Sequence, residues 1–300
     1  MNEKAAGGSI SILAAGILWG TMGLFVRGLS ADGFTSMEIV ALRSFGALLF
    51  MFIGIFLYNR KLFKIRLKDC WCFIGTGILS LTFFNFCYFR TIMMTSMSVA
   101  AILLYTAPIL VVLMSAVLFK EKLTGKKIAA MCIAFLGCAF VTGIVGGEGL
   151  VLSPMGILIG LGSGLGYALY SIFGRYALER GYQSMTISFY TFLFATIGTL
   201  FLVPVKDVAE KLAGGNIGND VLLILGIAFF ATVLPYVLYT LGLSKVENGK
   251  ASIMASIEPV VATMLGIIVF HESMTVTGII GVLLVIGAII LLNLKERTPS

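Results

Sequence analysis

Glu258 is the only acidic side chain placed deep inside a long apolar run, here residues 250–270. An ionised carboxylate in hydrocarbon costs about 3 kcal/mol on insertion scales, so it must face a cavity, meet a cation or take up a proton. Three roles follow: the proton carrier of an antiporter, the counter-charge for a substrate ammonium, or a structural partner for Arg43 or for backbone freed by Pro259. Arg43 raises the reciprocal question. It lies about two turns inside the run 37–57, too deep for an easy snorkel to water. It needs an anion, and the candidates are Glu258, a substrate carboxylate or helix C-terminal carbonyls.

A second group of polar residues recurs at helical spacing. Asn85 and Tyr88 are three apart, as are Tyr236 and Tyr239, with Thr232 one turn before them. Ser163, Tyr167 and Tyr170 share a face of another run, and Tyr105 precedes Pro108 by three. Such stripes are wasted on lipid, so they are read as the lining of a cavity, joined by Trp19. The alternative is a belt at the membrane interface, where amphipathic rings commonly sit; it fits Tyr58 and Tyr182 best. Tyrosine hydroxyls, one amide and one carboxylate suit a small zwitterion or organic cation.

Other chemistry is excluded. His271 is the sole histidine, which denies the chain a histidine-ligated metal cluster, and no phosphate-binding loop is present. Cys87, Cys132 and Cys138 fall in apolar runs and Cys70 and Cys72 in a turn, so neither a disulfide nor a metal site is expected. The chain is therefore expected to be no enzyme and to carry no cofactor.

The elements that position these residues are long apolar runs. With 59% hydrophobic residues, 12% charged and a mean hydropathy of +1.05, the 300 residues cannot cover a water-soluble globule. Ten runs stand out, near 9–27, 37–57, 72–90, 97–119, 126–144, 155–178, 185–204, 220–243, 250–270 and 277–294. The net charge of +7 does not point to a nucleic acid, because basic residues cluster in alternate loops. All Lys and Arg except Arg27, Arg43, Arg90, Lys206 and Lys211 fall in Lys4, 60–68, 120–127, 175–180, 245–250 and 295–297. The positive-inside rule puts those segments, and both termini, in the cytoplasm. The opposite loops carry Asp32, Glu38, Glu148, Asp207, Glu210, Asp220 and Glu272. The first run is too long for a cleavable signal and is read as a retained helix.

The chain also contains itself twice. A shift of 151 positions places Gly75 on Gly226, Tyr88 on Tyr239, Ala100 on Ala251, Pro108 on Pro259, Glu121 on Glu272 and Thr124 on Thr275. A shift of 146 places Gly16 and Gly20 on Gly162 and Gly166. Five runs per half is odd, so the second half, 152–297, enters the membrane from the side opposite to the first, 1–147. The change of offset locates an insertion, Lys206 to Asp220, which reads as a short interfacial helix or a solvated loop. The glycines of the sixth run let neighbours approach closely. Pro108 and Pro259 bend equivalent helices, which fits a shared cavity.

Residues 88–142 and 239–290 resemble the EamA family of the drug/metabolite transporter superfamily. The resemblance rests on Pro108 followed by Phe119-Lys120-Glu121-Lys122-Leu123-Thr124. It recurs in Glu258-Pro259 followed by Phe270-His271-Glu272-Ser273-Met274-Thr275, and Ala41-Leu42-Arg43 is similar to the family's Leu-Arg element. It implies an all-α membrane protein of ten transmembrane helices in two inverted five-helix repeats around a central cavity, exporting amino acids, related metabolites or drugs. Arg90 departs from the small or apolar residue expected there.

The expected function is secondary active transport of a small organic metabolite by alternating access, with the proton as candidate coupling ion. A passive channel or facilitator is the alternative. The expected partners are the small-molecule substrate and the lipid of a plasma or bacterial inner membrane, and the chain is monomeric or homodimeric.

Overall fold

Residues 3–144, 153–273 and 275–294 are described by a computed structural model, and among them every regular element is a helix. Glu148, Met274, Lys295, Arg297 and the side chain of Lys4 lie outside the described residues. In chain order the α-helices are α1 (Glu3–Gly20), α2 (Met22–Ala31), α3 (Ser36–Tyr58), α4 (Cys70–Ile74), α5 (Phe83–Met94), α6 (Met97–Leu104), α7 (Ala107–Leu118) and α8 (Gly125–Val141). They continue with α9 (Pro154–Glu179), α10 (Ser184–Leu200), α11 (Val205–Gly214), α12 (Ile217–Ala228), α13 (Leu234–Leu243), α14 (Asn248–Ala255), α15 (Ile257–Phe270) and α16 (Val276–Asn293).

Several starts are written in the sequence. Thr35 accepts the Glu38 N–H while the Glu38 side chain accepts the Thr35 N–H, a capping box opening α3. Thr124 and Thr275, equivalent under the 151 shift, open α8 and α16 by accepting from the N–H groups of Lys127 and Gly278. Residues just beyond α7 and α15 are equivalent in the same way: Lys120 and His271 both have φ of 55°.

Eight helical stretches are long and apolar enough to cross a membrane. They are Ala5–Ala31, Ser36–Tyr58, Leu67–Met94, Met97–Leu118, Pro154–Glu179, Ile217–Leu243, Asn248–Phe270 and Val276–Asn293. With 17 residues each, α8 and α10 sit at the lower limit for a spanning helix, about 17 residues. Beyond α10 the chain turns through 95° into α11. The segment after Lys206, read as either helix or loop, is thus helical. Large apolar side chains cover the outside, among them Leu57 at 77%, Val117 at 80% and Phe201 at 85% exposed, while serines and threonines are buried among the apolar residues of the interior. That is the reverse of a water-soluble protein and fits lipid as solvent.

Partners are exchanged between the halves. Helix α1 packs on α13, α14 and α15; α9 packs on α5, α6 and α7; α3 and α10 pack on each other, as do α8 and α16. One face of the bundle gathers the basic segments. There Arg66 and Arg180 bond Asp69, Lys127 bonds Glu247, and Lys126 bonds the carbonyl of Leu294. The opposite face holds Arg27 paired with Glu272 and Lys211 paired with Glu38.

Candidate functional site

Two of the crossing stretches are broken in mid-course, at equivalent places. The first breaks at Tyr105 and Thr106, between α6 and α7, and the second at Ser256, between α14 and α15. Pro108 and Pro259 lie in the first turns that follow, where a proline needs no acceptor for the N–H it lacks. Glycines of the facing helices press on both breaks. A Cβ on Gly164 would lie 2.8 Å from the Leu103 carbonyl oxygen, and one on Gly20 would lie 2.9 Å from that of Glu258. Only residues without side chains let α9 and α1 come so near.

The break also places Glu258. It stands in the first turn of α15, where unpaired N–H groups and the helix dipole favour negative charge. Its Oε2 lies 3.4 Å from the Tyr167 hydroxyl, which donates to it from α9. Among the described residues no basic side chain forms an ion pair with it. Tyr105, Pro108, Tyr167, Ser252 and Ser256 surround Glu258 in a cavity with room for about one water.

A second cavity of the same size lies on the other side of Tyr167. Trp19 of α1 stands edge-on to Tyr236 at 5.2 Å between ring centroids and against Tyr239 at 5.3 Å, both on α13. Tyr170 stands edge-on to Tyr236 at 5.0 Å, and Phe84 to Tyr167 at 5.6 Å. Two hydroxyl pairs tie α9 to α13: Tyr170 with Thr240 at 2.7 Å and Ser171 with Tyr239 at 2.8 Å. Trp19, Tyr167, Tyr170, Tyr236 and Tyr239 therefore form one aromatic wall drawn from both halves.

Arg43 departs from the expectation of an anionic partner. It is 3% exposed, yet its guanidinium donates to Asn85 Oδ1 at 3.4 Å and reaches Met22 Sδ at 3.5 Å. Both partners are neutral, and no carboxylate among the described residues pairs with it. The amide of Asn85 is fixed by donating in turn to the Leu81 carbonyl at 2.7 Å. Tyr236 and Glu258 lie within electrostatic reach of Arg43 without bonding it. Asn85 and Tyr88 do not line either of these two cavities; the Tyr88 ring packs on Phe89 at 5.5 Å. The Tyr182 hydroxyl donates to Asp69.

Eight wall residues are not among those the sequence singles out: Ser80, Phe84, Leu104, Ala107, Ser171, Ser252, Ala255 and Ser256. Ser256 carried a usable signal, because it is the 151-shift equivalent of Tyr105. Ser252 and Ser171 carried none beyond being polar in an apolar run.

The model of the EamA-like transporter family matches residues 6–143 and again 154–294. An uncharacterized transporter of Archaeoglobus fulgidus is 28% identical over 296 residues, covering 95% of each chain. One of Clostridium kluyveri is 26% identical, covering 94% of this chain and 92% of its own. The inner membrane transporter YicL of Salmonella typhimurium is 21% identical over 97% of this chain and 96% of its own. A crystal structure superposes with a TM-score of 0.79 at 17% identity, covering 96% of both chains, which shows the shared fold. With eight or nine membrane-crossing stretches and both halves matched, this multi-pass membrane protein belongs to the EamA-like transporter family.

Proposed function

We propose that the chain is a secondary active transporter that exports a small organic metabolite bearing a positive group, such as an amino acid or an organic cation. The carrying observation is Glu258, a carboxylate beside a cavity at a helix break, held by a tyrosine hydroxyl and by no cation among the described residues. A substrate ammonium or a proton supplies the missing positive charge. Arg43, buried with neutral partners, has the matching need for a substrate carboxylate. Trp19 and Tyr236 offer ring faces and edges to the organic part of the substrate.

In this reading α8 and α10 are spans as well, making ten, and 1–147 and 152–297 are two inverted repeats around the site. The basic face is cytoplasmic. Each cavity holds about one water, so a substrate enters only when helices part. The breaks before Pro108 and Pro259 provide hinges for that motion. Proton exchange at Glu258 couples transport to the proton gradient.

Purified protein in proteoliposomes tests the reading. Candidate amino acids and amines are first screened for raising the melting temperature. The stabilising compound is then offered with and without an imposed proton gradient. Uphill accumulation is expected, with Glu258→Gln abolishing the response to pH. Flux that only equilibrates identifies a passive facilitator, and an unchanged pH profile in Glu258→Gln removes that residue from coupling.

A further inference from the structure

The two membrane faces are closed to different degrees, and a pair of equivalent glutamates marks the difference. Glu121 follows Lys120 and Glu272 follows His271, the two residues with φ of 55°. On the basic face Glu121 is buried, with 8% of its side chain exposed, and spans the two halves. Its Oε1 accepts the N–H of Asn248 at 2.7 Å and its Oε2 that of Gly249 at 3.2 Å, the first turn of α14. Lys127 adds its ammonium 3.5 Å from Oε2. No side chain of α14's own neighbourhood in sequence caps that helix, so the carboxylate from the other half does so. Helix α14 accordingly lies along α7, near enough that a Cβ on Gly249 would meet Val112 at 3.0 Å.

Under the 151 shift the counterparts of Asn248 and Gly249 are Met97 and Ser98, the first turn of α6. Glu272 does not reach them. It pairs instead with Arg27, and both side chains are about half exposed, 48% and 52%. The start of α6 keeps only its local cap, Ser96 Oγ accepting from Val99 at 3.2 Å. Whereas α14 and α7 pack closely, their counterparts α6 and α15 barely touch. The bond from a loop glutamate to the partner helix's N–H groups is made on the basic face, whereas on the opposite face the halves are joined by the pairs Arg27 with Glu272 and Lys211 with Glu38.

Resting on the alternating-access reading above, we propose that Glu121 and Glu272 are alternating latches of the transport cycle. In the state described here Glu121 holds α14 against α7. In the other state Glu121 releases Asn248 and Gly249, and Glu272 leaves Arg27 to accept the N–H groups of Met97 and Ser98, drawing α6 onto α15. A carboxylate fits this task because its bonds to helix N–H groups are strong when made and water replaces them when broken. Lys120 and His271 share a left-handed conformation, and the N–H groups of Glu121 and Glu272 donate to the equivalent carbonyls of Ser115 and Gly266, so both glutamates leave their helices in the same way.

Disulfide trapping in membranes tests this, with initial rates read by mass spectrometry of the linked peptides. Val112→Cys with Gly249→Cys reports the basic face, and the equivalent Ser98→Cys with Thr263→Cys reports the opposite one. The first pair is expected to link fast and the second slowly. Glu121→Gln should raise the rate of the second pair by about fivefold relative to the first, and Glu272→Gln should lower it. If both pairs link but neither substitution changes their ratio, the latch is overturned while alternating access stands. If the second pair never links in any variant, alternating access falls and the latch with it.

Discussion

Asp69 and Asp220 are equivalent under the 151 shift, yet only Asp69 is paired. Asp69 accepts from Arg66 Nε at 2.7 Å and from the Tyr182 hydroxyl at 2.8 Å, and Arg180 Nε lies 3.2 Å away. Asp220 is fully buried, and neither of its carboxylate oxygens has a hydrogen-bond partner among the described residues. Its neighbour is another acid, Asp32, which itself accepts from Asn219 at 3.4 Å. Duplication has been followed by divergence: one copy anchors the basic face, and the other is a buried acid beside a second acid.

The same substitution in the two copies should therefore act with opposite sign. Asp69→Asn removes the negative charge shared by two guanidinium groups and is expected to lower the apparent melting temperature in detergent by a few degrees. Asp220→Asn replaces a buried carboxyl that has no hydrogen-bond partner among the described residues and lies beside Asp32, and is expected to raise it or leave it unchanged. A loss of similar size in both variants would mean that Asp220 is neutralised by a partner after all.

Arg43→Met separates a binding role from a structural one. Removing one member of a buried ion pair costs about 3–5 kcal/mol, because the remaining charge is stranded. No bonded charge is stranded here, since Asn85 and Met22 are neutral and Glu258 is not bonded to Arg43. The variant is expected to be as stable as the parent or more so, yet to lose the stabilisation that a carboxylate-bearing ligand gives the parent. Thermal melting with and without ligand reads both effects in one experiment.

Tyr167→Phe tests how the site uses the hydrogen bond that the Glu258 carboxylate accepts from Tyr167. The ring keeps its edge contact with Phe84 at 5.6 Å, so the wall should stand. Without the hydroxyl donor the carboxylate loses about 1–2 kcal/mol of stabilisation of its charged form. The pH at which transport is half-maximal is then expected to rise, because the proton leaves Glu258 less readily. A profile that coincides with that of the parent would show the 3.4 Å contact to be incidental.

Much of this architecture could be read in advance because the repeat writes each feature twice. The breaks near Pro108 and Pro259, the threonine caps at Thr124 and Thr275 and the stripe Tyr236 to Tyr239 all follow from residue type at a fixed offset. What could not be read depends on packing between the halves. The π-helical turns Gly75–Thr82 and Phe229–Val233 are equivalent, and each holds a threonine donating to a carbonyl five residues back. No single-sequence rule announces such a turn, since threonine serves equally well in an ordinary helix. The break between α1 and α2 at Thr21 is likewise silent, because α9 runs through the equivalent region unbroken. The neutral surroundings of Arg43 were illegible for another reason: sequence reveals that a buried charge needs a partner, not whether the protein or its ligand provides it.

The contact between α8 and α16 gives a prediction about stability away from the site. A Cβ on Gly281 would lie 2.6 Å from the Gly137 carbonyl oxygen and 2.7 Å from the Val141 nitrogen. Both obstacles are backbone, so the only relief is for the helices to separate, giving up packing along the contact. Gly281→Ala is expected to cost about 1–3 kcal/mol, the usual range for overpacking. Gly287, on the same helix, meets nothing within 4 Å, so alanine there should stabilise by about 0.5–1 kcal/mol through helix propensity alone. Neither helix contributes to the two cavity walls, so ligand affinity should be the same in both variants while their melting temperatures move apart. A Gly281→Ala protein that melts like its parent would show that α8 and α16 are held together from elsewhere.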